Sequence, residues 1–186
     1  MKTTYIFLAD GFEEVEALGT LDVLRRGGVD VMTVSLNAEH EVTGSHGVTV
    51  KADSRIADID AFDEVDFLVL PGGMPGASNL AACEKLSGML KSQYAAGRGV
   101  AAICASPALV LSPLGILDGR RATCYPGMEP IERTAVRMTG EPVVVDGNVI
   151  TGKGPACTFA FGLAILTALK GAEAAGAVAQ GMLLTD

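Results

Sequence analysis

Three short stretches of the chain are apolar almost throughout: "TTYIFLA" (3–9), "VDFLVL" (65–70) and "GVAAIC" (99–104). A strand with one wet face alternates polar and apolar side chains. These runs have apolar residues at successive positions and so bury both faces. Each leads through a short turn into a helical segment. Buried strands alternating with helices predict an α/β fold, a mostly parallel sheet covered on both sides. In such folds ligands bind outside the carboxyl ends of the strands. The residues at the end of each run therefore matter: "ADGFEEVE" after the first, "PGG" after the second, and Cys104 closing the third.

The rest of the chain fits that plan. A helix is expected over 12–28, closed by Arg25, Arg26 and two glycines as helix C-termini favour, then a strand over 29–35. "EVTGSHGVTVKAD" (41–53) reads as a hairpin around "GSHG". A helix is expected over 79–96, a short helix over 106–115, a strand over 120–125, and a hairpin over 141–152 with "DG" or "GN" at its tip. Segments 156–171 and 172–184 are closing helices. No repeat, linker or low-complexity stretch interrupts the 186 residues, so one domain is expected over 1–186.

Charge narrows the partners. The net charge of −8 argues against a nucleic-acid or anionic-membrane surface. No apolar run approaches the roughly 20 residues of a membrane span. The N-terminus passes from an apolar run straight into acid, without a signal-peptide cleavage site, so a cytoplasmic location is expected. Cys83, Cys104, Cys124 and Cys157 are widely spaced, with no C-x-x-C pair. In a reducing compartment each is a core thiol or a reactive one. His40 and His46 are the only histidines, neither at ligand spacing from a cysteine, and no metal is expected.

Three pieces carry chemistry. Cys104 stands where a strand turns at once into a helix, with Ser106 and Pro107 suited to the helix start. Free N–H groups and the positive dipole end there favour thiolate, as in a nucleophile elbow. The other reading is a small buried cysteine closing a strand. Second, the glycines of "PGG" (71–73) let backbone approach a ligand closely, so the N–H groups of Gly73 and Ala105 can face one oxygen. A plain tight turn explains the same residues. "GGMPGASN" lacks the Lys-Ser/Thr ending of a phosphate loop. Third, "VEALGTLDVL" (15–24) holds two charges, Glu16 and Asp22, in an otherwise apolar or small helix. One side covers the sheet and another is free to meet a second subunit. A Glu16 buried there keeps its proton near neutrality and serves as general acid or base; a solvated Glu16 does neither.

"LADGFEEVEALGTLDVLRRGG", "SHGVTVKAD", "DFLVLPGGMPGASNL", "AAICASPALVL" and "TGKGPACTFAFGLAIL" together resemble the DJ-1 (ThiJ/PfpI) superfamily, in order and over almost the whole chain. The resemblance is strongest to the branch holding the parkinsonism-associated deglycase and bacterial ThiJ-like proteins. It implies a flavodoxin-like three-layer sandwich, class I glutamine amidotransferase-like, in a homodimer joined through the helix 12–27 and the 41–52 hairpin. The family's reactive cysteine falls on Cys104, its partner glutamate on Glu16, and its backbone donors on Gly73 and Ala105. Arg26 matches a family arginine near the dimer site, and His46 stands where many relatives carry another arginine; the pair is expected either to bind an anion across the subunit boundary or to leave Arg26 as a solvated helix-end residue. Tyr125 replaces a histidine of several relatives. It either donates a phenolic hydrogen bond toward Cys104 or packs beside Pro126. Without that histidine a Cys-His protease is poorly supported. Cys124 and Cys157 read as core thiols, and Lys153 as a salt-bridging residue.

The resemblance implies a cofactor-free enzyme using Cys104 on a small dicarbonyl or glycated substrate. It would be a glyoxalase III-type activity on 2-oxoaldehydes or a deglycase. The alternative is a redox sensor or chaperone whose Cys104 is oxidised to a sulfinate.

Overall fold

In a computed structural model of the chain, which describes residues 3–60, 65–130 and 135–184, the three apolar runs lie side by side in one sheet. Positions 1–2, 61–64, 131–134 and 185–186, included in the single-domain reading, lie outside the described residues. The chain runs through β1 (Thr3–Leu8), α1 (Glu14–Arg26), β2 (Val31–Ser35) and a hairpin of β3 (Glu41–Thr43) and β4 (Thr49–Lys51). Next come β5 (Ser54–Arg55), β6 (Val65–Leu70), α2 (Gly76–Ala82), α3 (Glu84–Ala95) and β7 (Gly99–Ile103). It ends with β8 (Arg121–Ala122), β9 (Arg137–Met138), β10 (Val143–Asp146), β11 (Val149–Gly152), α4 (Thr158–Lys170) and α5 (Ala172–Gly181).

The seven-stranded sheet has the order β10-β11-β7-β6-β1-β2-β5. Its pairs are parallel except β10 with β11. Successive residues of the apolar strands feed two separate cores, as side chains alternating across a pleat must. Ile6, Leu8, Val69, Ala101 and Ile103 pack with α1, α4 and α5. Phe7, Leu68, Leu70, Val100 and Ala102 pack with α2 and α3 on the other face. The expected three-layer α/β sandwich is present. Among the described residues no helix is long and apolar enough to cross a membrane.

Several expected elements differ. The helix over 79–96 is two helices, broken at Cys83 (ψ 104°). Leu80 and Leu86 are both fully buried. Six residues apart, they point away from a shared face of one continuous helix at 3.6 residues per turn, and the break reunites them. The strand over 120–125 shrinks to Arg121–Ala122, paired with β9 outside the main sheet. Beyond it the backbone turns to other partners: Thr123 N–H donates to Thr151 Oγ1 (3.0 Å) and Tyr125 N–H to the Cys104 carbonyl (2.8 Å). The short helix over 106–115 is one wide π-type turn, Pro107–Leu111. The two hairpins form as expected.

Candidate active site

Parallel pairing of β1, β6 and β7 brings "ADGFEEVE", "PGG" and Cys104 to one edge of the sheet. Cys104 follows β7 directly, with φ of +64°, and is 8% exposed. Its backbone is gripped on both sides. The N–H donates to the Gly152 carbonyl (2.9 Å), and the C=O accepts from Tyr125 N–H (2.8 Å). Ser106 and Pro107 open the turn after Cys104 as expected, although the Ser106 side chain makes no capping bond there. Its hydroxyl donates to the Pro71 carbonyl at 2.5 Å and ties the cysteine corner to the glycine turn.

That turn leaves no room for side chains. A Cβ on Gly72 would lie 2.6 Å from Cys104 Cβ, 2.8 Å from Glu16 Oε2 and 3.0 Å from Cys104 Sγ. The sulfur and the carboxyl thus abut the same bare backbone position. Gly73, at φ of +88°, is packed against the backbone of Gly11 to Glu13. Its N–H and that of Ala105 face the sulfur and draw the thiol pKa down.

Glu16 comes from the first turn of α1, whose start is set by Glu13: the Glu13 carboxylate accepts the Glu16 N–H at 2.6 Å. Glu16 is 1% exposed, which removes the solvated reading. Its Oε2 accepts the Gly72 N–H at 2.7 Å, whereas Oε1 is buried without a hydrogen-bond partner among the described residues. Burial pushes this carboxyl up to about 7, opposed by the Gly72 N–H and the Cys104 thiol and reinforced by the Glu13 carboxylate.

The expectation of a depressed thiol is overturned. Burial first, and then the Glu16 carboxylate beside it, push the Cys104 thiol up to about 12 against the pull of the two amides. A single wide turn after Cys104 lacks the aligned peptides that build a helix dipole. Cys104 and Glu16 titrate as a pair.

The other candidates divide. Tyr125 is 47% exposed and joins Cys104 through its backbone N–H; its phenol makes no hydrogen bond to Cys104, and its ring packs beside Gly154. Arg26 donates to Asp22 at 2.8 Å on the exposed face of α1, as a solvated arginine does. His46, on the hairpin turn, bonds Glu14 at 2.7 Å instead. One chain therefore does not bring Arg26 and His46 together. Lys153 donates to the Gly140 carbonyl at 3.1 Å rather than to a carboxylate. Cys124 is a core thiol, pushed up to about 11 by burial and the Glu129 carboxylate. Cys157 is half-buried, not core, because the turn before α4 runs along the surface.

Two features escaped the sequence reading. Glu13, Glu14 and His46 place ligand atoms within 4.8 Å of one another. These groups already serve each other and the start of α1, with Glu14 accepting from His46 N–H (2.7 Å), the His46 ring and Ser45 (3.3 Å). Nothing in "GSHG" signals that pairing, 32 residues away from Glu14. The second feature is the Ser106–Pro71 bond.

Comparison with known proteins shows the family and the fold. The DJ-1/PfpI family model matches residues 2–168. The chain is 40% identical over 185 residues to Protein DJ-1 homolog A of Arabidopsis thaliana, covering 98% of this chain and 47% of that protein. It thus spans about half the length of the plant relatives it matches. It is 34% identical over 173 residues to the glutathione-independent glyoxalase DJR-1.2 of Caenorhabditis elegans, covering 92% and 90%. The crystal structure of Drosophila melanogaster DJ-1beta superposes with a TM-score of 0.93 at 36% identity, covering 100% of this chain and 99% of that one.

Proposed function

The chain belongs to the DJ-1/PfpI family, and on that premise we propose that it is a cofactor-free, cysteine-dependent enzyme acting on 2-oxoaldehydes or early glycation adducts. One observation carries the reading: a buried carboxyl with an unpartnered oxygen, poised near neutrality, beside a thiol that faces two backbone amides. A glyoxalase named among the relatives supports it.

The steps balance without an added oxidant or reductant. Cys104 Sγ attacks the aldehyde carbon of a 2-oxoaldehyde as the thiol proton passes to Glu16, which hands it on to the aldehyde oxygen to give a hemithioacetal and is again a carboxylate. The Gly73 and Ala105 N–H groups steady negative charge at sulfur and at that oxygen. Glu16 then moves a proton from the thiol-bearing carbon to its neighbour while the hydroxyl proton of the thiol-bearing carbon passes to the neighbouring oxygen, converting the hemithioacetal to a 2-hydroxyacyl thioester. Water cleaves the thioester, releasing a 2-hydroxy acid and the thiol. An early adduct first expels its amine or thiol to regenerate the aldehyde, which then enters the same steps.

The test is methylglyoxal consumption without glutathione or metal, with the product identified by NMR. Wild type forms lactate, and Cys104→Ala forms none above background; full activity in Cys104→Ala overturns the reading. The amides around Sγ also favour a second role, holding the oxygens of an oxidised Cys104. Intact mass after mild peroxide tests it: sulfinate must appear on Cys104 before the other thiols react.

A second copy of the chain covers the outer side of α1 in this proposal. Val15 (51% exposed), Leu18 (36%), Val48 (50%) and Phe159 (39%) give α1, the hairpin and the start of α4 an apolar outer surface. Light scattering should show a dimer that Leu18→Glu converts to monomer; a monomeric wild type refutes it.

A further inference from the structure

The carboxyl ends of β1 and β2 meet α2 around a solvent-open pocket of about 240 Å³, on a different set of residues from the Cys104 site. Asp10 follows β1, Leu36 and Asn37 follow β2, and Asn79, Ala82 and Cys83 belong to α2 and its end. The polar groups hold one another in place. Asp10 Oδ1 accepts from the Thr43 N–H at 2.9 Å and from Asn37 Nδ2 at 3.0 Å. Asn37 Nδ2 also donates to the Glu41 carbonyl at 3.0 Å, and Asn79 Nδ2 donates to the Asp10 carbonyl at 2.9 Å.

These bonds fix which way each amide faces, since an amide nitrogen must point at a carbonyl or carboxylate. They engage both Asn37 amide protons and one of the two on Asn79, and they leave acceptors. Among the described residues Asp10 Oδ2, Asn37 Oδ1 and Asn79 Oδ1 accept no hydrogen bond. Asp10 is the charged residue of the lining, and the whole chain is negative. A carboxylate with two amide oxygens, on a scaffold already hydrogen-bonded, complements a cation rich in N–H donors and repels an anion. The volume holds about eight waters at roughly 30 Å³ each, below the roughly 300 Å³ of a drug-sized site, so the occupant is small. Leu36 and Ala82 supply an apolar wall for a short hydrocarbon stem.

We propose that this pocket binds a primary alkylammonium ion, its N–H groups on Asp10 and the Asn37 and Asn79 side chains and its stem against Leu36 and Ala82. The site stands apart from the Cys104 chemistry, so either assignment survives the failure of the other. The test is a titration of the ¹⁵N-labelled full chain with n-butylammonium chloride, followed by NMR. Saturable shifts of the Asn37 and Asn79 side-chain amides and of the Asp10 and Cys83 backbone are expected. The uncharged n-butanol should give no saturable shift over the same range. Asp10→Asn keeps an oxygen for Thr43 and Asn37 but removes the charge, and should weaken binding at least tenfold. Shifts that do not saturate, an equal response to n-butanol, or unchanged affinity in Asp10→Asn each overturn the proposal.

Discussion

The first turn of α1 presents two carboxyls, two residues apart, to two different surroundings. Glu14 faces the hairpin and Glu16 faces the sulfur, and both are largely buried, at 8% and 1% exposed. Burial pushes each upward, yet Glu14 is held at about 2 by the His46 side chain and backbone N–H, while Glu16 rises to about 7. The difference lies in donors. Glu14 receives the His46 N–H, the His46 ring and the Ser45 hydroxyl; Glu16 receives the Gly72 N–H and the weakly donating Cys104 thiol and has one bare oxygen. Burial removes water from a carboxylate, and the hydrogen bonds that replace it decide whether the charge survives. The hairpin side fastens structure, whereas the sulfur side keeps an ionisable group in reserve.

The contrast is broken most severely by removing each carboxyl's proton chemistry in turn. Glu16→Gln should cut methylglyoxal turnover by about 100-fold or more, the usual range for a lost general acid or base. Glu14→Gln should leave turnover within a few-fold. Equal losses in both would mean that α1 placement, not proton transfer, is what matters. Titration sharpens the contrast next. Turnover should climb with pH up to about 7 as Glu16 becomes able to take the thiol proton, and a fall through that range would show the acid form at work. Stability tracks the same group with a definite sign. The Glu16 carboxyl lies above its ordinary 4.5, so its contribution is full below pH 4.5 and lost as pH rises through about 7, by about 3 kcal/mol. Glu14 lies below 4.5, so its contribution is full above pH 4.5 and lost as pH falls through about 2. Denaturant unfolding of Glu16→Gln between pH 4.5 and 8 should lack the first decline. The smallest change is expected from His46→Ala. Ser45 and the residue 46 N–H remain, so the Glu14 carboxyl should move only partway toward 4.5 by NMR, with turnover unaltered.

Apolar strand runs, their turns and the carboxyl-edge rule brought Cys104 and the PGG turn to one sheet edge, because periodicity and parallel pairing are local or topological facts; the pairing of Glu16 with Cys104 came from the family resemblance, since each residue alone allowed a bland reading. The direction of the thiol pKa was not legible in the sequence. It depends on how deeply Sγ is buried and on a carboxylate 88 residues away in sequence, and neither leaves a trace in "AICASP". The α2–α3 break was hidden because Cys83 has no helix-breaking side chain, and the reason for it lies in where Leu80 and Leu86 must both go. The Asp10 pocket was equally silent: three segments contribute one polar residue each, and each alone reads as an ordinary turn or surface residue.

Cys104 holds a left-handed backbone that side chains other than glycine, asparagine and aspartate seldom adopt. Such a conformation costs about 1–3 kcal/mol and persists where neighbouring bonds enforce it. A Cys104→Gly chain would shed that cost together with the sulfur. The corner thus stores strain that a glycine there would release, and unfolding measurements on Cys104→Gly would read out how much of it the surrounding bonds enforce.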